Sequence, residues 1–212
     1  MVLIILVLLM LQLQDVKKSL FELQKSTFLQ PIVDQLNMVL TRNCTSLSEE
    51  DMQSLLDRCH LLLDPNQWGG STMTMALVFD DGIAAANVGD SRTVVVDPTG
   101  AHQLTRDASL DDEKVRDAVM RRGGSITGSS GKLRVENLET ARSFEGRRLP
   151  AISARAKVTW YPRVSQGETT LILGCDGLVN YISPNEMKEV LERKRRDPSR
   201  AALLARIAEK RG

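Results

Sequence analysis

The sequence predicts an α+β fold in which antiparallel strands joined by tight turns are flanked by helices. Residues 71–100 alternate apolar runs with Asp-Gly and Pro-Thr-Gly turns, a pattern typical of antiparallel hairpins. On either side of these strands, apolar residues recur at helical spacing behind residues that cap helices. With 212 residues, of which 42% are hydrophobic and 26% charged, the chain is long enough to bury one core.

The first element is an uncharged apolar run at residues 2–11, which we separate as a segment, residues 1–14, from a domain over residues 15–212. A membrane-spanning helix needs about 20 such residues. The run also lacks the basic start and the small-residue cleavage site of a secretory signal. We interpret it as a buried strand or the start of a buried helix, with a signal or membrane anchor as the alternative. Since such a run does not stay exposed, it must pack on the core, on a partner or in a bilayer.

Helices are predicted on both sides of the strands. Residues 15–63 carry apolar side chains at helical spacing, and two later helices follow Pro-containing starts. The helix that begins near residue 109 is expected to end at a Gly-Gly pair. The predicted starts are marked by Ser48, by Ser109 with Asp112 three residues later, by Ser183 with Pro184 and Glu186, and by Asp197-Pro198.

The predicted strands lie at residues 71–79, 83–88 and 93–96, as an antiparallel meander, and at residues 158–161 and 169–173. Their apolar runs are nearly continuous rather than alternating. We therefore expect both faces of some of these strands to be covered.

Charge and cysteine content exclude several classes of function. The formal net charge is +1 and aromatic residues make up only 4%, so we expect no nucleic-acid partner. The three cysteines, Cys44, Cys59 and Cys175, form no Cys-x-x-Cys pattern and indicate neither a disulfide framework nor a zinc site. Reduced thiols favour an intracellular location, cytoplasmic or nuclear, and no membrane partner is expected.

Two segments place polar residues at the ends of predicted strands. One is the hairpin that ends in Asp90-Ser91-Arg92, and the other is an apolar strand that runs into Asp176-Gly177. A carboxylate at a strand end, beside a flexible backbone, suits hard cations such as Mg²⁺ or Mn²⁺. An isolated Asp-Gly pair is more often a simple turn, so this pair alone is a weak signal.

Together these segments resemble the metal-dependent protein phosphatases of type 2C, the PPM family. The resemblance covers about residues 50–208 and depends on several motifs that follow one another in the family's order. The motifs are Gly70-Ser71-Thr72; Ala86-Asn87-Val88-Gly89-Asp90-Ser91-Arg92; Leu104-Thr105-Arg106-Asp107; Arg134-Val135; Ala141-Arg142-Ser143-Phe144; Cys175-Asp176-Gly177-Leu178; and Asn185-Glu186.

The resemblance implies a sandwich of two antiparallel sheets flanked by helices. It also implies hydrolysis of phosphoserine and phosphothreonine, in which two Mg²⁺ or Mn²⁺ ions activate a water for attack on phosphorus. Asp176 matches a metal ligand of the family, and we assign Gly177 beside it to the same expected metal site. Structural roles are expected for the remaining motif residues Gly70, Ser71, Thr72, Asn87, Gly89, Asp90, Ser91 and Arg92.

The sequence departs from the family pattern where most of the metal ligands should be. An Arg followed by Met-Glu-Asp, an Asp-Gly-His-Gly-Gly loop and a closing Asp-Asn pair are absent from the sequence. Asn180 stands where the family often has Asp, and Ala108 replaces a His after Asp107. We therefore expect a partial domain that lacks the family's first strands and last strand, and a protein that is catalytically impaired or inactive.

Three interpretations are compatible with these losses. The first is a pseudophosphatase or truncated gene product that binds phosphoproteins or other proteins. The second is an active phosphatase whose substitute ligands come from a second chain or from Asp80, Asp81, Asp111 and Asp112. The third is an obligate subunit of a complex, in which residues 2–11 complete an open sheet edge or seal a dimer.

Overall fold

The computed structural model describes residues 3–10, 49–61, 70–129, 131–145, 149–162, 167–194, 197 and 199–212. Antiparallel sheets flanked by helices form the fold, which confirms the predicted fold class. The helical pattern over residues 15–48, including the cap at Ser48, lies outside the described residues.

Two antiparallel sheets form the body of the domain. The larger sheet contains β1 (Leu3–Met10), β2 (Gly70–Val78), β3 (Gly82–Val88) and β9 (Lys157–Pro162) in this order, with β8 (Phe144–Glu145) beside β2. The smaller sheet contains β10 (Thr170–Gly174), β4 (Arg92–Asp97) and β5 (Gly100–Gln103) in this order. A separate ribbon consists of β6 (Ile126–Thr127) and β7 (Arg134–Val135).

Helices lie on both sides of the sheets. α1 (Glu49–Leu61) contacts β9, and α2 (Glu113–Arg121) contacts β6. The short α3 (Asp176–Val179) follows β10 directly and packs on α5 (Arg200–Glu209). α4 (Pro184–Arg193) packs on β4 and β5. The smaller sheet therefore lies between the larger sheet and this helical layer.

Three consecutive valines in β4 show why the layers assemble. Val95 packs between the two sheets in a cluster with Ile83. Val94 and Val96 point to the opposite face and pack in a cluster with Met187 of α4. Since all three valines are buried, β4 is covered on both faces, as the continuous apolar run predicts.

The predicted meander is wrong at its third strand. β2 and β3 pair as expected, with Met73 opposite Val88. β4 instead pairs with β10 and β5 in the smaller sheet. Local patterning shows where strands and turns occur, but the choice of sheet depends on which apolar faces meet in three dimensions.

Ser109 does not cap α2, which corrects the prediction from the sequence. Asp112 is the cap, and its carboxylate accepts a hydrogen bond from Lys114 N at 3.0 Å. Ser109 instead forms a β-bridge with Thr140, and its hydroxyl accepts from Asp111 N at 3.2 Å. Both Ser and Asp suit a cap, and the bridge holds Ser109 outside the helix.

The local signals at the starts of α4 and α5 are largely confirmed. Ser183 Oγ accepts from Glu186 N at 3.3 Å, and the Glu186 carboxylate accepts from Ser183 N at 2.9 Å, which completes a capping box. α5 begins at Arg200, slightly later than predicted, and Asp197 Oδ1 accepts from Ser199 N at 2.8 Å just before it.

Of the strand and the helix considered for residues 2–11, the structure shows a strand, β1. β1 pairs with β2 from Leu3 opposite Val78 to Met10 opposite Ser71. A dimer or complex formed through this strand, and a boundary at residue 14, stay predictions. Within the described part of the chain, helices long and apolar enough to cross a membrane do not occur.

Candidate functional site

Buried hydroxyl groups join the two sheets at the end where the sequence motifs lie. Thr72 Oγ1 and Ser91 Oγ are 2.9 Å apart, and the hydroxyls of Thr74 and Thr93 are 2.7 Å apart. Ser143 Oγ also donates to the carbonyl of Ser71, at 3.3 Å. The first pair links β2 to the residue that precedes β4, and the second links β2 to β4 itself. The Gly70-Ser71-Thr72 motif therefore helps to fix the two sheets relative to each other.

Gly89 and Asn87 shape the turn through which the chain changes sheet. Gly89 has a φ of +103°, and a Cβ at this position would lie 2.4 Å from Thr72 Cγ2, so only glycine fits without displacing its neighbours. Asn87 is buried, and its Nδ2 donates to the carbonyls of Gly89 and Arg106, both at 3.2 Å. The amide therefore holds this turn against the segment that follows β5.

Arg92 links three segments at the same end of the sandwich. Its Nε donates to Asp107 Oδ1 at 2.9 Å, and its Nη2 donates to Asp107 Oδ2 at 2.6 Å. Its Nη1 donates to the carbonyl of Val179 at 3.0 Å. The hydrogen bonds to Asp107 raise the pKa of Arg92 despite partial burial. Arg92 thus makes the contacts of a structural residue. Both carboxylate oxygens of Asp107 are hydrogen-bonded to it.

Asp90 and Asp176, which come from distant motifs, are brought together here. Burial raises the pKa of Asp90, and the negative charges of Asp176 and Asp107 raise it further. Hydrogen bonding within the turn and the charge of Arg92 oppose this rise. A carboxyl group whose charged form is disfavoured in this way is typical of a functional site. The motifs singled out both residues, but their proximity depends on the fold.

Asp176 and Gly177 lie at the start of α3. Asp176 is half-buried, and its Oδ1 accepts a hydrogen bond from Gly177 N at 2.7 Å. The neighbouring Cys175 is a free thiol whose pKa is raised mainly by burial. Because only the thiolate is nucleophilic, Cys175 is not suited to nucleophilic chemistry near neutral pH.

The described residues do not fit the two-metal centre that the resemblance implies. Groups of three or more His, Cys, Asp or Glu side chains able to hold a metal ion are absent from the described part of the chain. Asp90 and Asp176 alone are too few carboxylates to retain two hydrated Mg²⁺ ions. Asp107 is already engaged by Arg92.

The substitute metal ligands suggested by the sequence either make other hydrogen bonds or lie away from Asp90 and Asp176. Asp112 caps α2 and pairs with Arg106. Asp111 Oδ1 accepts a hydrogen bond from Gly131 N at 3.3 Å. Asp80 and Asp81 lie between β2 and β3, at the end of the hairpin opposite to Asp90.

We expect Asp90→Asn to raise the free energy of unfolding at neutral pH. The native pKa of Asp90 lies above its ordinary value of 3.8, so the native state binds the proton more tightly than the unfolded chain. The stability contributed by the protonated Asp90 is therefore lost as pH rises from the unfolded-state pKa through the higher native-state pKa. Urea denaturation in EDTA measures the effect, and the advantage of the variant should be present at about pH 7 and absent below about pH 3.5.

The matched control for this prediction is Asp81→Asn, which neutralises an exposed turn carboxylate. It is expected to change stability little at either pH. A destabilising Asp90→Asn substitution at neutral pH would contradict the prediction.

Comparison with known proteins agrees with these motifs. The family model for protein phosphatase 2C matches residues 11–210. The rice protein named probable protein phosphatase 2C 44 is 33% identical over 138 residues, which cover 63% of this chain and 42% of that protein. The serine/threonine phosphatase stp of Listeria monocytogenes is 27% identical over 126 residues, which cover 59% of this chain and 45% of that protein.

Solved structures show the same fold. A Caenorhabditis elegans sex-determining protein superposes with a TM-score of 0.73 at 24% identity, covering 85% of this chain and 48% of that one. The Streptococcus agalactiae serine/threonine phosphatase superposes with a TM-score of 0.63 at 17% identity, covering 100% of this chain and 95% of that one. The chain spans less than half the length of the curated relatives described above. With nearly its whole length matched by the family model, the chain belongs to the protein phosphatase 2C family.

Proposed function

We propose that this chain recognises phosphoproteins and does not dephosphorylate them by itself. The observation that carries the proposal is the small number of carboxylates available to bind metal ions at the end of the sandwich where the sequence motifs lie. Asp176 lies near enough there for its charge to raise the pKa of Asp90, whereas the Asp107 carboxylate pairs with Arg92. Hydrolysis by two bound cations needs several carboxylates to hold them and to share the charge that develops on the phosphoryl group.

The sequence supports the same proposal. The Asp-Gly-His-Gly-Gly loop is absent from the sequence. The two histidines of the chain, His60 and His102, are not flanked by the Asp and Gly residues of that loop. Known relatives include proteins named serine/threonine phosphatases. A chain that shares their fold without their ligand set can retain recognition of a phosphorylated partner, because binding and bond cleavage depend on different groups.

We expect no manganese-dependent phosphate release from a phosphothreonine peptide by this chain. The reason is the incomplete ligand set among the described residues. Release is measured with Mn²⁺ and with EDTA for the unchanged chain, for Asp176→Ala and for the control Asp117→Ala, which changes an exposed carboxylate on α2. All three proteins should match the EDTA background.

The alternative is an active phosphatase with substitute ligands. Manganese-dependent release that disappears in Asp176→Ala and persists in Asp117→Ala would establish this alternative and overturn the proposal.

A further inference from the structure

β1 lies at one edge of the larger sheet and has a neighbouring strand on one side only, among the residues that the structure describes. Its pairing with β2 is antiparallel and continuous, from Leu3 opposite Val78 to Met10 opposite Ser71. In such a pair, alternate residues direct their N–H and C=O groups to the partner strand, and the residues between them direct theirs away. The outer side of β1 therefore presents a row of backbone donors and acceptors that can extend the sheet.

The two edges of the larger sheet differ in their protection against further pairing. β9, at the opposite edge, begins with Lys157, ends with Pro162 and is contacted by α1. Charge, proline and a covering helix are features that keep an edge strand from pairing. β1 has the sequence LIILVLLM, without a charged residue, a proline or a glycine, and its register with β2 shows no bulge. β9 thus has features that oppose pairing, and the sequence of β1 has none.

The composition of β1 favours a second copy of the same strand as its partner. Because β1 is uncharged, two copies can lie side by side without placing like charges opposite each other. An antiparallel pair of identical strands is related by a two-fold axis, which is the commonest symmetry of homo-oligomers. A strand that alternates polar and apolar residues would instead set polar side chains beside the apolar ones of β1 on one face of the sheet.

Hydrogen-bond geometry limits the register of such a pair. Residues that direct their backbone groups outward are two apart, and in an antiparallel pair each must lie opposite another outward-facing residue. The two-fold axis must therefore pass beside a residue that lies opposite its own copy, and not between two residues. An axis at Leu6 or at Val7 gives nearly complete overlap of Leu3–Met10 with its copy.

We propose that β1 pairs in antiparallel orientation with β1 of a second copy of this chain, which forms a symmetric dimer with one continuous sheet. Across the dimer the strands follow the order β9-β3-β2-β1 and then β1-β2-β3-β9. The pairing fills the unprotected edge of each copy and leaves β9 at both ends, so the assembly is closed. This interface is independent of the proposed function and goes beyond it.

The proposed dimer keeps the two candidate sites apart. Met10 pairs with Ser71, so this end of β1 lies at the motif end of the sandwich. Because the two β1 strands run in opposite directions, Met10 of one copy lies beside the Leu3 end of the other. The two candidate sites therefore lie at opposite ends of the continuous sheet and do not block each other.

Sedimentation velocity of the full chain at increasing concentration tests the stoichiometry. We expect a species with twice the mass of the chain, and a thermal unfolding midpoint that rises with protein concentration because the dimer dissociates as it unfolds. A monomer at every concentration would overturn the proposal, and it would leave another segment of this chain or a strand of a different protein as the occupant of the edge. Larger, open-ended species would overturn the closed dimer.

Disulfide trapping locates the interface, with Leu6→Cys and Val7→Cys as the test variants and Leu3→Cys as the matched control. The Cα atom of the residue at the axis would lie about 4.5–5.5 Å from that of its own copy, within the range that a disulfide spans. Leu3 would be at least roughly 20 Å from its copy along the strands. After mild oxidation with diamide, we expect one of the two test variants to form at least about tenfold more disulfide-linked dimer than Leu3→Cys.

The unchanged chain gives the background from its own thiols, Cys44, Cys59 and Cys175. Cysteine packs as a small apolar side chain, and thermal unfolding checks that each variant is folded. A dimer by sedimentation without trapping in either test variant would place the interface elsewhere and overturn the proposal. Equal trapping in Leu3→Cys would do the same. Phosphate release has no part in these measurements, so either failure leaves the proposed function intact.

Discussion

Asp97→Ala is expected to lower the free energy of unfolding by about 2–4 kcal/mol. The Asp97 carboxylate is fully buried. It accepts hydrogen bonds from Thr99 N at 2.8 Å, Thr99 Oγ1 at 2.6 Å, Gly100 N at 3.2 Å and Tyr161 OH at 2.6 Å. Alanine would leave Tyr161 OH and the two backbone N–H groups without this acceptor, whereas the hydroxyl of the exposed Thr99 would turn to water. Urea denaturation at neutral pH measures the loss.

The same carboxylate makes stability fall in acid. Burial by itself would raise the pKa of Asp97, but the hydrogen bonds from Thr99, Tyr161 and Gly100 outweigh burial and hold the pKa below the ordinary value of 3.8. The unfolded chain therefore binds the proton more tightly than the native state. The contribution of Asp97 is present above the unfolded pKa and is lost as pH falls through the folded pKa. The stability difference between the unchanged protein and Asp97→Asn should shrink accordingly below about pH 4.

Tyr161→Phe is the matched control for Asp97→Ala. It removes one donor and keeps the ring, so we expect a loss of only about 1 kcal/mol. Tyr161 lies in β9 of the larger sheet and Asp97 at the end of β4 in the smaller one, so both variants test the polar link between the sheets. A loss below about 1 kcal/mol for Asp97→Ala would show that the carboxylate is dispensable.

Arg92→Ala is expected to destabilise the protein by about 3 kcal/mol. The substitution leaves the partly buried carboxylate of Asp107 and the carbonyl of Val179 without their donor. It also removes the hydrogen bond between the side chain at the start of β4 and the last residue of α3. Chemical denaturation of Arg92→Ala at neutral pH measures the effect.

Arg92→Lys separates charge from geometry. Lysine keeps the positive charge but cannot make the two parallel bonds to Asp107 and also reach Val179, so we expect about half of the loss seen with alanine. A double-mutant cycle with Asp107→Asn should give a coupling free energy of at least about 1 kcal/mol. Additive losses in that cycle would refute the bidentate pair as the source of stability.

Parts of the fold and of the candidate site could be predicted from the sequence because they depend on short motifs. The capping box at Ser183, the strand that ends before Asp176 and the glycine at position 89 each require a local pattern of residues. The proximity of Asp90 to Asp176 could not be predicted in this way. It arises because β10 pairs with β4, the strand that follows the Asp90 turn.

Sequence patterns alone predict the α+β class, the positions of most strands and turns, the start of α4 and the membership of the protein phosphatase 2C family. These features depend on hydrophobic patterning and on contacts between residues that are near one another in the chain. Packing in three dimensions places β4 in the second sheet, makes Asp112 rather than Ser109 the cap of α2, and pairs β1 with β2. Each of these choices depends on contacts between distant segments, where the burial of apolar faces and the pairing of backbone groups select among arrangements that are locally equivalent.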